Sequence, residues 1–258
     1  MKILMVTSEA VPFAKTGGLA DAVSALAIAL DKLGHEVKIV MPRYYKIPRD
    51  NLTMLEGPMG VPAGYTEQWT AVYTTVMPGS KNVGVYFIDH EAAFGRDGIY
   101  GVPTEPDFND NPFRFSILCH GAFQLCRKID WFPDIVHAHD WSAALAPVLL
   151  KFNEKQDWRF GKTASVLTIH NLGYQGVYGK HNYPSTGLDW DHFYSAGFED
   201  WDRMNFLKAG LISSDVLTTV SPTYAKEIQM SEFGFRMDGI LRSRNSDLYG
   251  ILNGVDTD

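Results

Sequence analysis

Cysteine is nearly absent. The chain has two, Cys119 and Cys126, seven positions apart on a segment that reads as one helix. Helix rise separates them by about 10 Å, too far for a disulfide, so a reducing, cytoplasmic compartment is the simplest expectation. Positive charge is also scarce. A formal net charge of −7 and a pI of about 5.6 leave no broad cationic surface to neutralise duplex phosphates, which excludes nucleic acid as the expected partner. Long apolar runs are missing as well. Met1-Lys2-Ile3-Leu4-Met5-Val6 imitates the start of a signal peptide, but Ser8 and Glu9 interrupt it before an h-region of about 7–15 residues is complete. No other segment approaches the roughly 20 apolar residues of a membrane span. There is no G-x-S-x-G elbow, and neither cysteine has a histidine partner suggested by sequence, so nucleophilic hydrolase chemistry has no support.

What is present suits a globular protein. Apolar residues make up 45% and charged residues 21% of 258 positions, enough for a core and for one large domain or two small ones. Lys2 to Thr7 reads as a strand, Leu19 to Leu33 as a helix with a rhythm of Leu19, Val23, Leu26, Leu30 and Leu33, and Val37 to Met41 as a second strand. Such a βαβ opening implies a parallel pair. Trp69 to Met77 and Val83 to Ile88 read as further strands, and Ala93 to Asn111 as a long surface loop. Then follow a helix over Phe113 to Ile129, a strand over Asp134 to Ala138, and a helix over Trp141 to Glu154. Strands over Thr163 to Ile169 and Val216 to Val220 follow, the latter leading into Pro222 to Gln229. Alternation of this kind predicts an α/β fold, an open and mostly parallel Rossmann-like sheet with helices on both faces. Repeats, low-complexity tracts and linkers are lacking, so a single domain is expected.

In such sheets ligands bind beyond the carboxyl ends of the strands. After the first strand stands Lys15-Thr16-Gly17-Gly18-Leu19-Ala20-Asp21, where Gly17 and Gly18 permit close backbone approach, the helix start favours an anion and Lys15 adds a point charge. The spacing is neither G-x-G-x-x-G nor a Walker loop, and a glycine turn with a solvated lysine is the plain alternative. After Val136 stands His137-Ala138-His139-Asp140-Trp141, with both histidines on one strand face. No third ligand at a linked spacing supports a metal there. A packed, hydrogen-bonded histidine competes with a sharper reading, in which Asp140 offers a carboxylate to a sugar hydroxyl and Trp141 covers a sugar face. His170-Asn171-Leu172-Gly173-Tyr174-Gln175-Gly176 mixes donors and acceptors, as hydroxyl-rich ligands need, though a hydrogen-bonded turn would use Asn171 and Gly173 equally well. Asn253-Gly254-Val255-Asp256 alone reads as a hairpin turn.

Together with Ser221-Pro222-Thr223-Tyr224-Ala225-Lys226-Glu227-Ile228, these blocks resemble, in order and over the whole chain, bacterial glycogen synthases and plant starch synthases. The resemblance implies a retaining, metal-independent glucosyltransferase that needs no cofactor and moves glucose from ADP-glucose to the non-reducing end of an α-1,4-glucan. The implied fold is GT-B, two Rossmann-like domains across a cleft, of which this chain resembles the N-terminal, acceptor-side half. The expected partners are ADP-glucose, the glucan and the C-terminal domain of the same enzyme, without nucleic acid or membrane. Its implied location is the bacterial cytoplasm, or a plastid after removal of a transit peptide. By the same resemblance His170 and Asp140 are catalytic, His170 acting electrostatically through its backbone carbonyl. Lys15, Gly17, Gly18 and Asn171 belong to the donor, and Asp21, Tyr100, Trp141 and Asn253 to the acceptor or sugar, Tyr100 lining the sugar site. Phe108-Asn109-Asp110-Asn111 resembles a family segment to which no chemistry is assigned. Family members continue past N-G-V-D into a domain that supplies an arginine, a lysine and a glycine-rich acidic region. The isolated chain is therefore expected to be inactive. A non-catalytic glucan-binding or scaffolding module, and a GT-B transferase with another sugar nucleotide, are the competing readings.

Overall fold

The computed structural model describes residues 1–254. Strand β1 (Lys2–Val6) and helix α1 (Gly18–Lys32) lead to β2 (Glu36–Pro42). Next come β3 (Thr66–Val76), β4 (Gly84–Asp89), α2 (Asn111–Lys128) and β5 (Ile135–His139). Two short helices, α3 (Asp140–Ala143) and α4 (Leu145–Phe152), precede β6 (Ala164–Ile169), α5 (Phe206–Ser213) and β7 (Val216–Thr219). The chain then forms α6 (Pro222–Glu227), α7 (Asp238–Ser243) and β8 (Leu248–Gly250).

These strands build a ten-stranded sheet in the order β8-β7-β6-β5-β1-β2-β4-β3, ending on Thr53–Met54, with Met59–Ala63 also paired to β3. All neighbours from β8 to β4 are parallel, and β3 turns antiparallel against β4. The physical reason lies in the composition of the middle strands. Leu4, Met5 and Val6 of β1 are all fully buried, so both faces of this strand are covered, as parallel sheets require. Crossing helices supply that cover. The register sets Met5 beside His137, His139 beside Thr168, and Thr168 beside Thr218. Every strand in the parallel block therefore ends on the same edge, where the polar segments gather.

Several expectations need correction. The expected row along α1 faces the core only in part: Leu19 and Val23 are buried with Ala20 and Ala27, and Leu30 packs half-buried against them, whereas Leu26 is 37% exposed and Leu33, just past the helix, 74%. Residues 19, 23 and 27 keep one face at four-residue spacing, while 26 and 33 drift off it. The predicted helix over Trp141 to Glu154 is two, broken at Ala144. The Ala93 to Asn111 segment is not a free surface loop. It is a strap held from inside, with Phe108 buried, Asn111 donating to the Tyr100 carbonyl at 2.8 Å, and buried Arg114 donating to the carbonyls of Ala93 and Ile99. Val177–Gly179, Glu199–Asp200 and Arg203–Asn205 form a separate three-stranded antiparallel sheet, in a stretch where the sequence suggests no element. Cys119 and Cys126 are free, buried thiols of α2, each pushed up to about 12 chiefly by burial.

Candidate active site

The turn after β5 carries a left-handed residue. Asp140 begins α3 with φ +56°, the left-handed region that short polar side chains tolerate best. This conformation turns its carboxyl across to the neighbouring strand end. Asp140 Oδ1 accepts the backbone N–H of His170 at 2.7 Å and of Asn171 at 3.4 Å. Burial pushes the Asp140 carboxyl up to about 7; the two N–H groups act against that rise, and the nearby Glu9 adds to it. A carboxyl poised there sits between acid and base near neutrality.

The histidines join behind it. His139 Nδ1 lies 3.2 Å from His170 Nε2, and the His137 and His139 rings stack with centroids 4.2 Å apart. His137 Nε2 in turn contacts Thr168 Oγ1 at 2.6 Å, and Thr168 contacts Thr218 Oγ1 at 2.6 Å. Burial holds all three rings neutral, helped at His137 and His139 by the neighbouring histidines: His137 goes down to about 3, His170 to about 4, and His139 well below the ordinary value. The Nε2 of His139 is buried and has no hydrogen-bond partner among the described residues. Among those residues no set of three or more His, Cys, Asp or Glu is arranged to hold a metal ion.

Beside this pair lies the start of α1. Lys15, Thr16, Gly17 and Gly18 are all exposed, and a Cβ built on Gly17 or Gly18 would meet nothing within 4 Å. Gly17 caps the helix without a side-chain bond, which leaves N–H groups of the first turn available to an anion. Lys15 Nζ is not free, since it pairs with Asp21 at 2.7 Å. Two residues expected on opposite ligands thus form one ion pair. Both are about half exposed, so the pair is worth little and an incoming phosphate can take the lysine.

Trp141 corrects the sequence reading. It is 7% exposed, packed against Tyr100, Phe115, Tyr178 and Phe206, and so forms a wall of the core and not a stacking face for a sugar. Tyr100 points its hydroxyl inward, to Ser8 at 2.6 Å and to Glu9 at 2.7 Å. Asn171 is exposed, and its Oδ1 accepts the Gly173 N–H at 2.9 Å. Asn253 donates its backbone N–H to Val220 at 3.3 Å beyond β8; Val255 and Asp256 of the same motif lie outside the described residues. Sequence reasoning missed Glu9 and Ser8, which it treated only as an interruption of an apolar run. Their position just after β1, at the edge where the other polar strand ends gather, is the available signal.

A family model described as the starch synthase catalytic domain matches residues 2–243. The glycogen synthase of Treponema denticola is 67% identical over 257 residues, covering 100% of this chain and 52% of the relative. Glycogen synthase 1 of Geobacter metallireducens is 45% identical over 259 residues, covering 99% of this chain and 51% of the relative. The solved catalytic domain of starch synthase IV from Arabidopsis thaliana, bound to ADP and acarbose, superposes with a TM-score of 0.89 at 30% identity, covering 100% of this chain and 52% of that one. The chain spans about half the length of the relatives it matches.

Proposed function

The chain belongs to the starch synthase catalytic domain family, and we propose on that premise that it is the acceptor-side half of a retaining glucosyltransferase. The donor is ADP-glucose and the acceptor is the non-reducing end of an α-1,4-glucan. The observation that carries this reading is the meeting, on one sheet edge, of an open glycine-rich helix start with the Asp140 to His170 bridge. The first suits a diphosphate and the second a sugar. The Arabidopsis relative bound to ADP and acarbose supports both ligand classes.

In this scheme the N–H groups opening α1 and the Lys15 ammonium meet the diphosphate, and Gly17 and Gly18 let it reach the backbone. Asp140 fixes the His170 turn by its peptide N–H, which sets where the next carbonyl and Asn171 stand toward the reacting sugar. His170 stays neutral and acts by position and dipole, since burial keeps its ring unprotonated at working pH. Electrostatic placement of this kind needs a preorganised, dry cleft. The helix dipole alone contributes about 0.3–1 kcal/mol, too little to organise a transition state, so transfer requires the part of the relatives' length that this chain does not span.

The test joins this chain to the remaining half of the Treponema denticola glycogen synthase. Glucose transfer from ADP-glucose to glycogen is expected from the chimera, with Lys15→Ala raising the donor KM and Asp140→Ala or His170→Ala lowering kcat. A folded chimera without transfer removes the reading, and calorimetric binding of a maltooligosaccharide to that inactive protein would then favour a glucan-binding module.

A further inference from the structure

Past Val6 the central strand stops being apolar but stays buried: Thr7 and Ser8 are wholly inaccessible and Glu9 is 2% exposed. A carboxylate that far from water must find its donors in the protein. Glu9 finds them on two separate stretches of chain. Its Oε2 accepts the backbone N–H of Thr16 and, at 3.4 Å, of Gly17. Its Oε1 accepts the Thr16 hydroxyl at 2.7 Å and the Tyr100 hydroxyl at 2.7 Å. One oxygen serves peptide groups and the other serves hydroxyls.

Counting hydrogens gives the chain a direction. Tyr100 has one hydroxyl hydrogen and gives it to Glu9, so it must accept from Ser8 across their 2.6 Å contact. Ser8 has then spent its own hydrogen and accepts from Ser142 at 2.8 Å. Ser142, Ser8 and Tyr100 all donate toward the same carboxylate, an arrangement in which each bond strengthens the next. Ser142 belongs to α3, two residues beyond Asp140. The chain therefore begins under the Lys15 to Gly18 loop and ends under the Asp140 turn.

The loop needs such an anchor. Lys15 to Gly18 is exposed throughout, its two glycines have no neighbour for a Cβ, and its outer ion pair with Asp21 is solvated. Packing does not fix its place. We infer that Glu9 is a positioning residue for glucosyl transfer, which holds the donor-side loop against the Tyr100 and Ser142 hydroxyls so that the loop and the Asp140 turn form one rigid unit. This rests on the proposed function for what the two ends bind. Its effect on rate is geometric, since a misplacement of about 1 Å in a positioned group costs on the order of a hundredfold.

Two substitutions separate the parts of this role. In Glu9→Gln the amide oxygen keeps the Thr16 and Gly17 N–H groups, and the amide nitrogen faces hydroxyls that turn to accept; the loop stays held. In Glu9→Ala the loop is released. In the chimera described above, Glu9→Ala is expected to raise the donor KM by about tenfold or more and to leave the acceptor KM within roughly twofold. Glu9→Gln is expected to keep the donor KM within roughly threefold while moving the Asp140 carboxyl titration, followed by carbon NMR on the chain itself, to lower pH, because a neighbouring negative charge has gone. An unchanged donor KM in Glu9→Ala overturns the inference, as does an equal rise in both KM values. Should Glu9→Ala not fold, Thr16→Val removes only the hydroxyl anchor; a severalfold rise in donor KM supports the role and no rise overturns it. Should the parent chimera transfer no glucose, the functional reading falls by itself, and amide exchange in the chain decides the positioning: faster exchange at 15–18 in Glu9→Ala, with the rest unchanged, supports it, and unchanged exchange there overturns it.

Discussion

Asp140 combines a left-handed backbone with a buried carboxyl, at a cost in stability. Its left-handed backbone is one that asparagine also tolerates, so Asp140→Asn changes charge with little strain. In the folded chain the carboxyl is raised to about 7 by burial, well above its unfolded value of roughly 3.9. A raised carboxyl favours folding fully below the unfolded value and loses that contribution as pH climbs through the folded one. Asp140→Asn is therefore expected to raise the melting midpoint at pH 8 and to leave it nearly unchanged at pH 4, by scanning calorimetry at both. A gain at pH 4 equal to that at pH 8 would show that the carboxyl is not held above its ordinary range. At this scale the sequence was informative where a polar residue follows a strand, as with Asp140 and His170. It misled at Trp141, because a tryptophan beside a site has the same letter whether its face is open or packed. Glu9 stands at a strand end, but its partners were illegible for the complementary reason: its four donors come from positions 16, 17 and 100, and no local pattern announces them.

The glycines of two elements make opposite demands. Gly176, with φ +64°, packs so closely on the Trp141 ring that an added Cβ would collide with it. Gly17 and Gly18, at the start of α1, face open space. Gly176→Ala is accordingly expected to cost about 1–3 kcal/mol and to lower the melting midpoint by roughly 2–12 °C. Gly17→Ala and Gly18→Ala are expected to leave the midpoint within roughly 2 °C while raising the donor KM of the chimera. Thermal melts of the three variants beside donor kinetics check this; a destabilised Gly17→Ala or Gly18→Ala would mean that the loop is packed after all. Strands of the parallel block from β7 to β4 were legible from their apolar runs, whereas three-residue β8 at its edge was not. The three-stranded sheet over Val177 to Asn205 was not, because strands of two or three residues carry no period. It is held by specific bonds, such as Asn205 to Gln175 at 2.8 Å and Arg236 to Asp200 at 2.8 Å, which join residues far apart in sequence.

At the scale of the whole molecule, surface loops and turns leave large aromatic side chains in water. Tyr174 is 68% exposed, Phe235 56% and Trp201 81%, and both Trp201 and Phe235 have left-handed backbones unusual for bulky residues. Aromatic surface of this kind favours association. The isolated chain is expected to self-associate weakly, with a scattering mass that rises with concentration and falls back in Phe235→Ser; a constant monomer mass at high concentration would count against it. The general plan of the molecule followed from alternation and strand-end polarity, whereas which loops meet over the sheet edge depended on long-range contacts.

The place of β1 at the centre of the sheet also sets a timetable. It pairs with β2 on one side and β5 on the other, and the Lys2 N–H closes on the carboxylate of Asp134, 132 positions further along. At a synthesis rate of roughly 5–20 residues per second, the second neighbour emerges on the order of ten seconds after the first strand. For that interval the most apolar strand of the protein has one edge unsatisfied on the ribosome. The nascent β1-α1-β2 unit is thus the stage at which chaperone capture would compete with folding, long before the Asp140 and His170 turns exist to meet the start of α1.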